Sequence, residues 1–226
     1  MHRSPWLAKP NMALMLLVAA SVLTAGFFAL SVDPASASTR SGGVGTPGTG
    51  DSSATPEKAP RFGNRTLRKG MEGDDVKVLK GIVRSMDLLN SPLTSDFDSP
   101  TKSAVKQFQR DEDISTSGVV NETTSKTMVR SLKKTEASWY GPGLYGNGVA
   151  CGGTLRPGTI GVAHKTLPCG SKLLVGYHGR FLTARVIDRG PYVAGRALDL
   201  TYAAAESLGF IDAGVANVRY AVVKRK

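Results

Sequence analysis

Four patterns of apolar and polar positions follow one another along the chain. The first is an uncharged apolar run, MALMLLVAASVLTAGFFALSV, from Met12 to Val32, with Arg3 and Lys9 ahead of it. Ala35-Ser36-Ala37 then has the small-x-small form of a signal-peptidase site. Cleavage there gives a signal peptide over residues 1–37. The run is also long enough to span a bilayer, as a signal anchor with its basic end in the cytoplasm. Both readings place the rest of the chain outside the cytoplasm. The second pattern, residues 38–63, is rich in Gly, Ser, Thr and Pro with few large apolar residues. Such a stretch buries too little surface to offset its ordering entropy, so it predicts a disordered linker.

Helical spacing begins next and covers residues 64–134. Asp74 or Asp75 caps a helix with Val76, Leu79, Val83 and Met86 on one face. Ser99 caps a second, with Pro100 at its first position and Ala104, Val105 and Phe108 inward. Asn121 caps a third that buries Met128 and Leu132. Phe97-x3-Thr101-x3-Val105 recurs as Val120-x3-Thr124-x3-Met128, so two similar turn-plus-helix units pack together. From residue 137 to 226 the texture changes to short β-rich runs between glycines. Ser138–Tyr140, Ile160–Ala163, Leu173–Val175, Phe181–Ile187 and Val218–Val223 read as strands, with a hairpin turn at Tyr177–Arg180. One helix fits, capped by Thr201 and ended by Gly209. About six short strands with Gly-rich corners predict a compact barrel.

Charge narrows the partners. The formal net charge is +11, and residues 138–226 carry eleven Lys/Arg against four acids. For an exported chain this favours an anionic wall polymer or membrane surface over nucleic acid. Membrane contact is expected only if the leader stays uncleaved. Cys151 and Cys169 are the only cysteines and sit in a compartment that permits a disulfide; two buried free thiols are the alternative. Three histidines in all leave too few ligands for a zinc cluster, so neither metal nor cofactor is expected.

The helical stretch resembles the small three-helix peptidoglycan-binding domain. The carrying residues are Leu67-x-Lys69-Gly70-x-x-Gly73-x-Asp75-Val76, Phe97-x3-Thr101-x2-Ala104-Val105-x2-Phe108-Gln109, and Gly118-x-Val120. Asp98 stands where family members usually have Gly, and Ser125 replaces a common Trp. A bare spacer is the alternative role for this domain.

Beyond residue 137 the blocks ASWYGPGLYGNGVACGG, GVAHKTLPCGSKLLV, VIDRGPYVAGRALDLT and AAAESLGF resemble, in order and spacing, the rare lipoprotein A (RlpA) family. The resemblance implies a double-psi β-barrel and lytic transglycosylase action on peptidoglycan glycan strands. The family's catalytic positions fall on His164 and Asp188. The residues themselves point the same way. Cleaving a glycosidic bond needs a group that protonates the leaving oxygen, and the barrel stretch offers only Asp188, Asp199, Glu206 and Asp212. Glu206 lies in the helix and Asp212 in the loop after it, which leaves Asp188 and Asp199. Asp188 could instead accept backbone N–H groups in the turn, Asp199 could cap the following helix, and His164 could be a satisfied core histidine. Trp139 and Tyr140 could stack on sugar rings or fill the core. Arg189 could clamp a substrate carboxylate or pair with Asp188. Many enzymatic members carry a glutamate eleven residues before the histidine; here that position is Gly153. Cys151 and Cys169 are placed to tie together the loops flanking His164.

The expectation is therefore an α+β multidomain protein, secreted and cell-wall associated. It joins a three-helix peptidoglycan-binding domain to a six-stranded double-psi β-barrel that binds and cleaves glycan strands. The alternative is a non-catalytic, expansin-like glycan binder.

Overall fold

The computed structural model describes residues 57–224; the apolar run, the Ala35-Ser36-Ala37 stretch and residues 38–56 lie outside the described residues. Among the described residues, no helix is long and apolar enough to cross a membrane.

Helix α1 (Asp74–Ser85) starts with two acids, Asp74 and Asp75, which suit the positive end of its dipole. Asp75 also accepts from Arg65, Nε to Oδ2 at 2.6 Å and Nη2 to Oδ1 at 2.8 Å. Val76, Leu79 and Val83 are buried as their spacing predicts, but so are Val78 and Ile82. A helix sealed on more than one side has more than one neighbour. Helix α2 (Ser99–Asp111) is capped by Asp98, one residue earlier than expected; its Oδ1 accepts from the Thr101 N–H at 2.9 Å. Helix α3 (Glu122–Ser131) is capped by Asn121, which accepts from the Thr124 N–H at 2.9 Å. The sequence echo therefore has a physical basis. Phe97 and Val120 each pair with the arm at residues 67–72 through two backbone hydrogen bonds. A capping side chain follows each, then a buried threonine.

The barrel strands are β1 (Lys133–Tyr140), β2 (Gly161–Ala163), β3 (Lys172–Tyr177), β4 (Arg180–Asp188), β5 (Arg196–Thr201) and β6 (Ala216–Val223). They close in the order β1-β5-β2-β4-β3-β6. The β1/β5 and β2/β4 pairs are parallel and the rest antiparallel. β3 and β4 meet at a two-residue turn, His178 and Gly179, with φ of 44° and 79°. Positive φ at both positions matches the right-handed twist of the strands. Helix α4 (Tyr202–Leu208) follows β5 directly, capped by Thr201.

Three expectations shift. β5 was not foreseen as a strand, because RALDLT combines alternation with the approach to a helix. β1 begins at Lys133, straight after α3, so no spacer separates helices from barrel. The linker expectation fails for its last residues: Ala59 and Phe62 are buried, and backbone hydrogen bonds join Ala59 to Ser207, Phe62 to Gly179 and Phe181 to Pro60. Phe62 supplies the apolar area that the polar stretch before it lacks, its ring packing edge-on against Phe181.

Helices and barrel share a core. Leu174, Phe181 and Val223 from the strands belong to the same buried cluster as Val78, Leu79, Ile82 and Phe97. A Cβ at Gly81 would lie 3.6 Å from the Leu174 methyl groups, so α1 rests directly on β3. Arg219 of β6 donates to the carbonyls of Arg130 and Leu132 at 2.9 Å each, tying down the end of α3. A second cluster, including Val162, Val186, Leu198 and Leu200, fills the barrel itself.

Candidate functional site

Pairing register lines up one residue from each of four adjacent strands. Ser138 on β1 lies opposite Asp199 on β5, Asp199 opposite Ala163 on β2, and Ala163 opposite Asp188 on β4. Their neighbours Ala137, Leu198 and Val162 are sealed in the barrel core. Side chains alternate along a strand, so the row points away from the barrel interior, with Ser138 and Ala163 covered and the two acids half-buried. Between Val162 and Ala163 the register slips, leaving Ile187 as an extra residue on β4. Such a bulge re-aims the side chain that follows, which here is Asp188. A Cβ on Gly161 would sit 2.5 Å from Ile187 Cδ1, so any larger residue there would displace the bulged side chain.

Asp188 is half-buried, and its two oxygens differ. Oδ1 accepts from the N–H of Ala150 at 2.9 Å and of Arg189 at 2.8 Å. Oδ2 makes no hydrogen bond of normal geometry to a described residue, and the carboxylate neighbours the Tyr140 phenol, whose pKa, already raised by desolvation, it raises further both by charge and by hydrogen bonding. Asp199 accepts from the Ser138 hydroxyl and lies within β5, so it does not cap α4; Thr201 does. The Tyr140 phenol shares the outward face of β1 with Ser138. Its oxygen is buried with no hydrogen bond of normal geometry among the described residues. Desolvation first, then the charges of Asp188 and Asp199, push its pKa far up, so it stays a proton-bearing donor.

His164 follows β2, and its backbone N–H donates to the Asp188 carbonyl at 3.2 Å. No side-chain hydrogen bond joins the two. Nδ1 accepts from the N–H groups of Thr166 at 3.1 Å and Leu167 at 3.0 Å, which places the neutral ring's proton on Nε2. Burial lowers its pKa below 6.5, helped by the charges of Arg189, Lys133 and Lys165. The unfolded chain therefore binds more protons between 6.5 and the folded value, and stability falls as pH drops through that window. In an NMR titration the His164 midpoint is expected below 6.5; a midpoint above it would refute the neutral, amide-accepting ring.

Arg189 is not paired with the Asp188 carboxylate. Its guanidinium donates to the carbonyls of His164 at 3.3 Å and Leu167 at 3.1 Å, and Nη2 lies 3.1 Å from Cys169 Sγ. It braces the AHKTLPC loop. Trp139 alternates away from the row: its ring meets Tyr202 edge-on at 5.4 Å and its Nε1–H donates to the Ile211 carbonyl. Neither side chain hydrogen-bonds the Asp188 carboxylate.

Cys151 and Cys169 form a disulfide, with Cα atoms 5.5 Å apart. It joins the loop that supplies the Ala150 amide to the loop that carries His164. Closing a separation of 18 residues stabilises the fold by roughly 3 kcal/mol in the chain-entropy model. Replacing both cysteines by serine is expected to lower unfolding free energy by about that amount, read from denaturant melts. An unchanged midpoint would show that the hydrogen bonds alone hold the loops.

Gly153 lies at the exposed tip of this loop with φ 91°, and a Cβ there would meet no atom within 4 Å. A glutamate would have room but would strain the backbone. Ser138 escaped the sequence reading, although β1 alternation places it two residues before Tyr140 on the same face. The Ala150 contact is made by backbone and leaves no sequence signal.

Fold and site together define a double-psi β-barrel with an acid-bearing outer face, preceded by a helical domain. Comparison with known proteins agrees. Residues 133–220 match the family model described as lytic transglycolase, and residues 72–128 match one for a peptidoglycan binding domain. The chain is 36% identical over 107 residues to the "Probable endolytic peptidoglycan transglycosylase RlpA" of Synechocystis, covering 46% of this chain and 33% of that protein. It is 43% identical over 89 residues to the endolytic peptidoglycan transglycosylase RlpA of Campylobacter jejuni (38% and 32%). With the Vibrio cholerae protein of the same name it shares 42% over 90 residues (39% and 34%). The chain thus spans about a third of the length of these curated relatives. Its barrel is RlpA-like.

Proposed function

We propose that this is an exported cell-wall protein whose three-helix part grips peptidoglycan while its barrel cleaves glycan strands as a lytic transglycosylase. The observation that carries this reading is the divided carboxyl of Asp188, one oxygen held by two amides and the other free of them, beside the Tyr140 phenol. The activity for which the relatives are named supports it.

In this reading Asp188 Oδ2 protonates the glycosidic oxygen as the bond from C1 breaks. The 6-hydroxyl of the same sugar then attacks C1, and the Asp188 carboxylate removes its proton. One bond is exchanged for another, no water is consumed, and the acid is restored. Tyr140 donates to the substrate or steadies the nearby charges, and Asp199, oriented by Ser138, is the second carboxylate of the row. His164 offers Nε2–H to the substrate while Nδ1 fixes its ring. Arg189 and Trp139 act through the loop and the core. Leader cleavage and wall localisation belong to the same proposal. Basic groups on the barrel suit anionic wall polymers as additional partners.

Gly153 favours a second reading, a glycan binder without turnover, because the loop then lacks a carboxylate. Digestion of purified glycan strands followed by mass analysis separates the two. Anhydro-ended sugars establish the transglycosylase, new reducing ends indicate a hydrolase, and intact strands that still co-sediment leave the binder.

A further inference from the structure

Tyr192 is the most exposed of the large apolar side chains on the described surface, at 82%, and Val193 beside it is 50% exposed. Isolated exposed aromatics are common and call for no role. This one lies four residues past Asp188, on a loop that is tied down at two points. The preceding Pro191 is buried, which anchors the base of its loop. Across the loop, Lys165 donates to the Val193 carbonyl at 3.4 Å, linking it to the segment after His164. The Tyr192 ring folds back over Gly190: a Cβ on that glycine would lie 3.7 Å from Cε2 and 3.8 Å from Cδ2. One edge of the ring thus lies near the DRGP corner, and most of the side chain is bare.

Location gives the bare ring a use. β2 and β4 run parallel, so the loops after His164 and after Asp188 leave the barrel at the same end. Leu144 and Ile160, 45% and 38% exposed, lie at the other end, beyond Tyr140 and before β2. Exposed apolar groups thus bracket the row of Asp188, Asp199 and Tyr140 at both ends. A pyranose ring pairs polar edges with an apolar C–H face, and a bare aromatic ring on the loop that follows the acid matches that face.

We infer that Tyr192 is a substrate-positioning residue, its ring stacking on the sugar next to the one at Asp188. This rests on reading the outer face as a glycan site. The test uses the full chain. Tyr192→Ala is expected to raise the strand concentration for half-maximal anhydro-product release three- to tenfold with kcat held, and Tyr192→Phe or Tyr192→Trp to restore it. An unchanged KM in Tyr192→Ala, or Tyr192→Phe as weak as alanine, would overturn the inference. Co-sedimentation of glycan strands with Asp188→Asn and with the Asp188→Asn/Tyr192→Ala double variant reads the same contact without turnover. If the unsubstituted protein makes no products, the transglycosylase reading falls while this comparison still decides Tyr192: weaker retention in the double variant supports stacking, and equal retention refutes it.

Discussion

Asp188→Asn is expected to cut release of anhydro-ended products by about 10²–10⁴-fold, the range for losing a general acid. The substitution keeps the shape. An asparagine oxygen still accepts from the amides of Ala150 and Arg189, so the bulge and the loop at Cys151 stay in place. What is lost is proton transfer at the oxygen that the two amides do not hold. Strand binding should persist, which separates this outcome from a misfolded variant. If Asp188→Asn keeps its rate and Asp199→Asn loses it, the acid lies one strand pair over, at the carboxylate held by Ser138. If both keep the rate, the barrel does not cleave by this chemistry.

The second large effect is on stability and lies in the helical part. Lys80 is fully buried in α1, and its ammonium has two partners, Thr94 Oγ1 at 2.8 Å and Asp98 Oδ2 at 3.1 Å. Asp98→Ala would strand that charge and uncap α2 in one step. Breaking a buried pair costs about 3–5 kcal/mol. The Asp98 side chain is 37% exposed, so solvent screens part of this and about 2–3 kcal/mol is expected from denaturant melts. Lys80→Met in the same background should recover much of the loss, because it removes the charge rather than stranding it. A loss under about 0.5 kcal/mol would mean that Thr94 and water suffice for the ammonium. The effect also depends on pH. Burial works to raise the Asp98 pKa, but hydrogen bonds from Thr101 and Lys80 outweigh it and leave the value below 3.8. Its contribution is present above 3.8 and disappears as pH falls through the lower folded value, so the gap between wild type and Asp98→Ala should close in acid.

Asp98 also shows where reading from residues alone stops. It stands where the resemblance leads one to expect glycine, and nothing in the sequence pairs it with a lysine 18 positions earlier. The pair exists because α1 and the turn before α2 meet in three dimensions. Helix faces were legible, since Val76, Leu79, Val83 and Phe108 repeat at helical spacing. Val78 and Ile82 form a further stripe on α1 that becomes intelligible only once β3 lies against it. In the barrel, the positions of Asp188 and His164 were visible through their motifs and the scarcity of carboxyls. The company they keep was not, because the β2/β4 slip, the Ala150 amide and the row through Asp199 are products of register. Tyr192 carried no mark either: an aromatic residue in a short run reads the same whether it points inward or out.

The seam between α1 and the barrel has an implication for how the protein can be taken apart. Leu174, Phe181 and Val223 are each nearly invisible to solvent, yet part of their cover comes from helices encoded upstream. A fragment starting at residue 133 would expose an oily flank, forfeiting about 1.5–3 kcal/mol for each of these side chains fully uncovered. The neat interval between the two family matches is therefore a poor place to cut, and swapping in a different helical module would require redesigning the face of β3 and β6 that receives it.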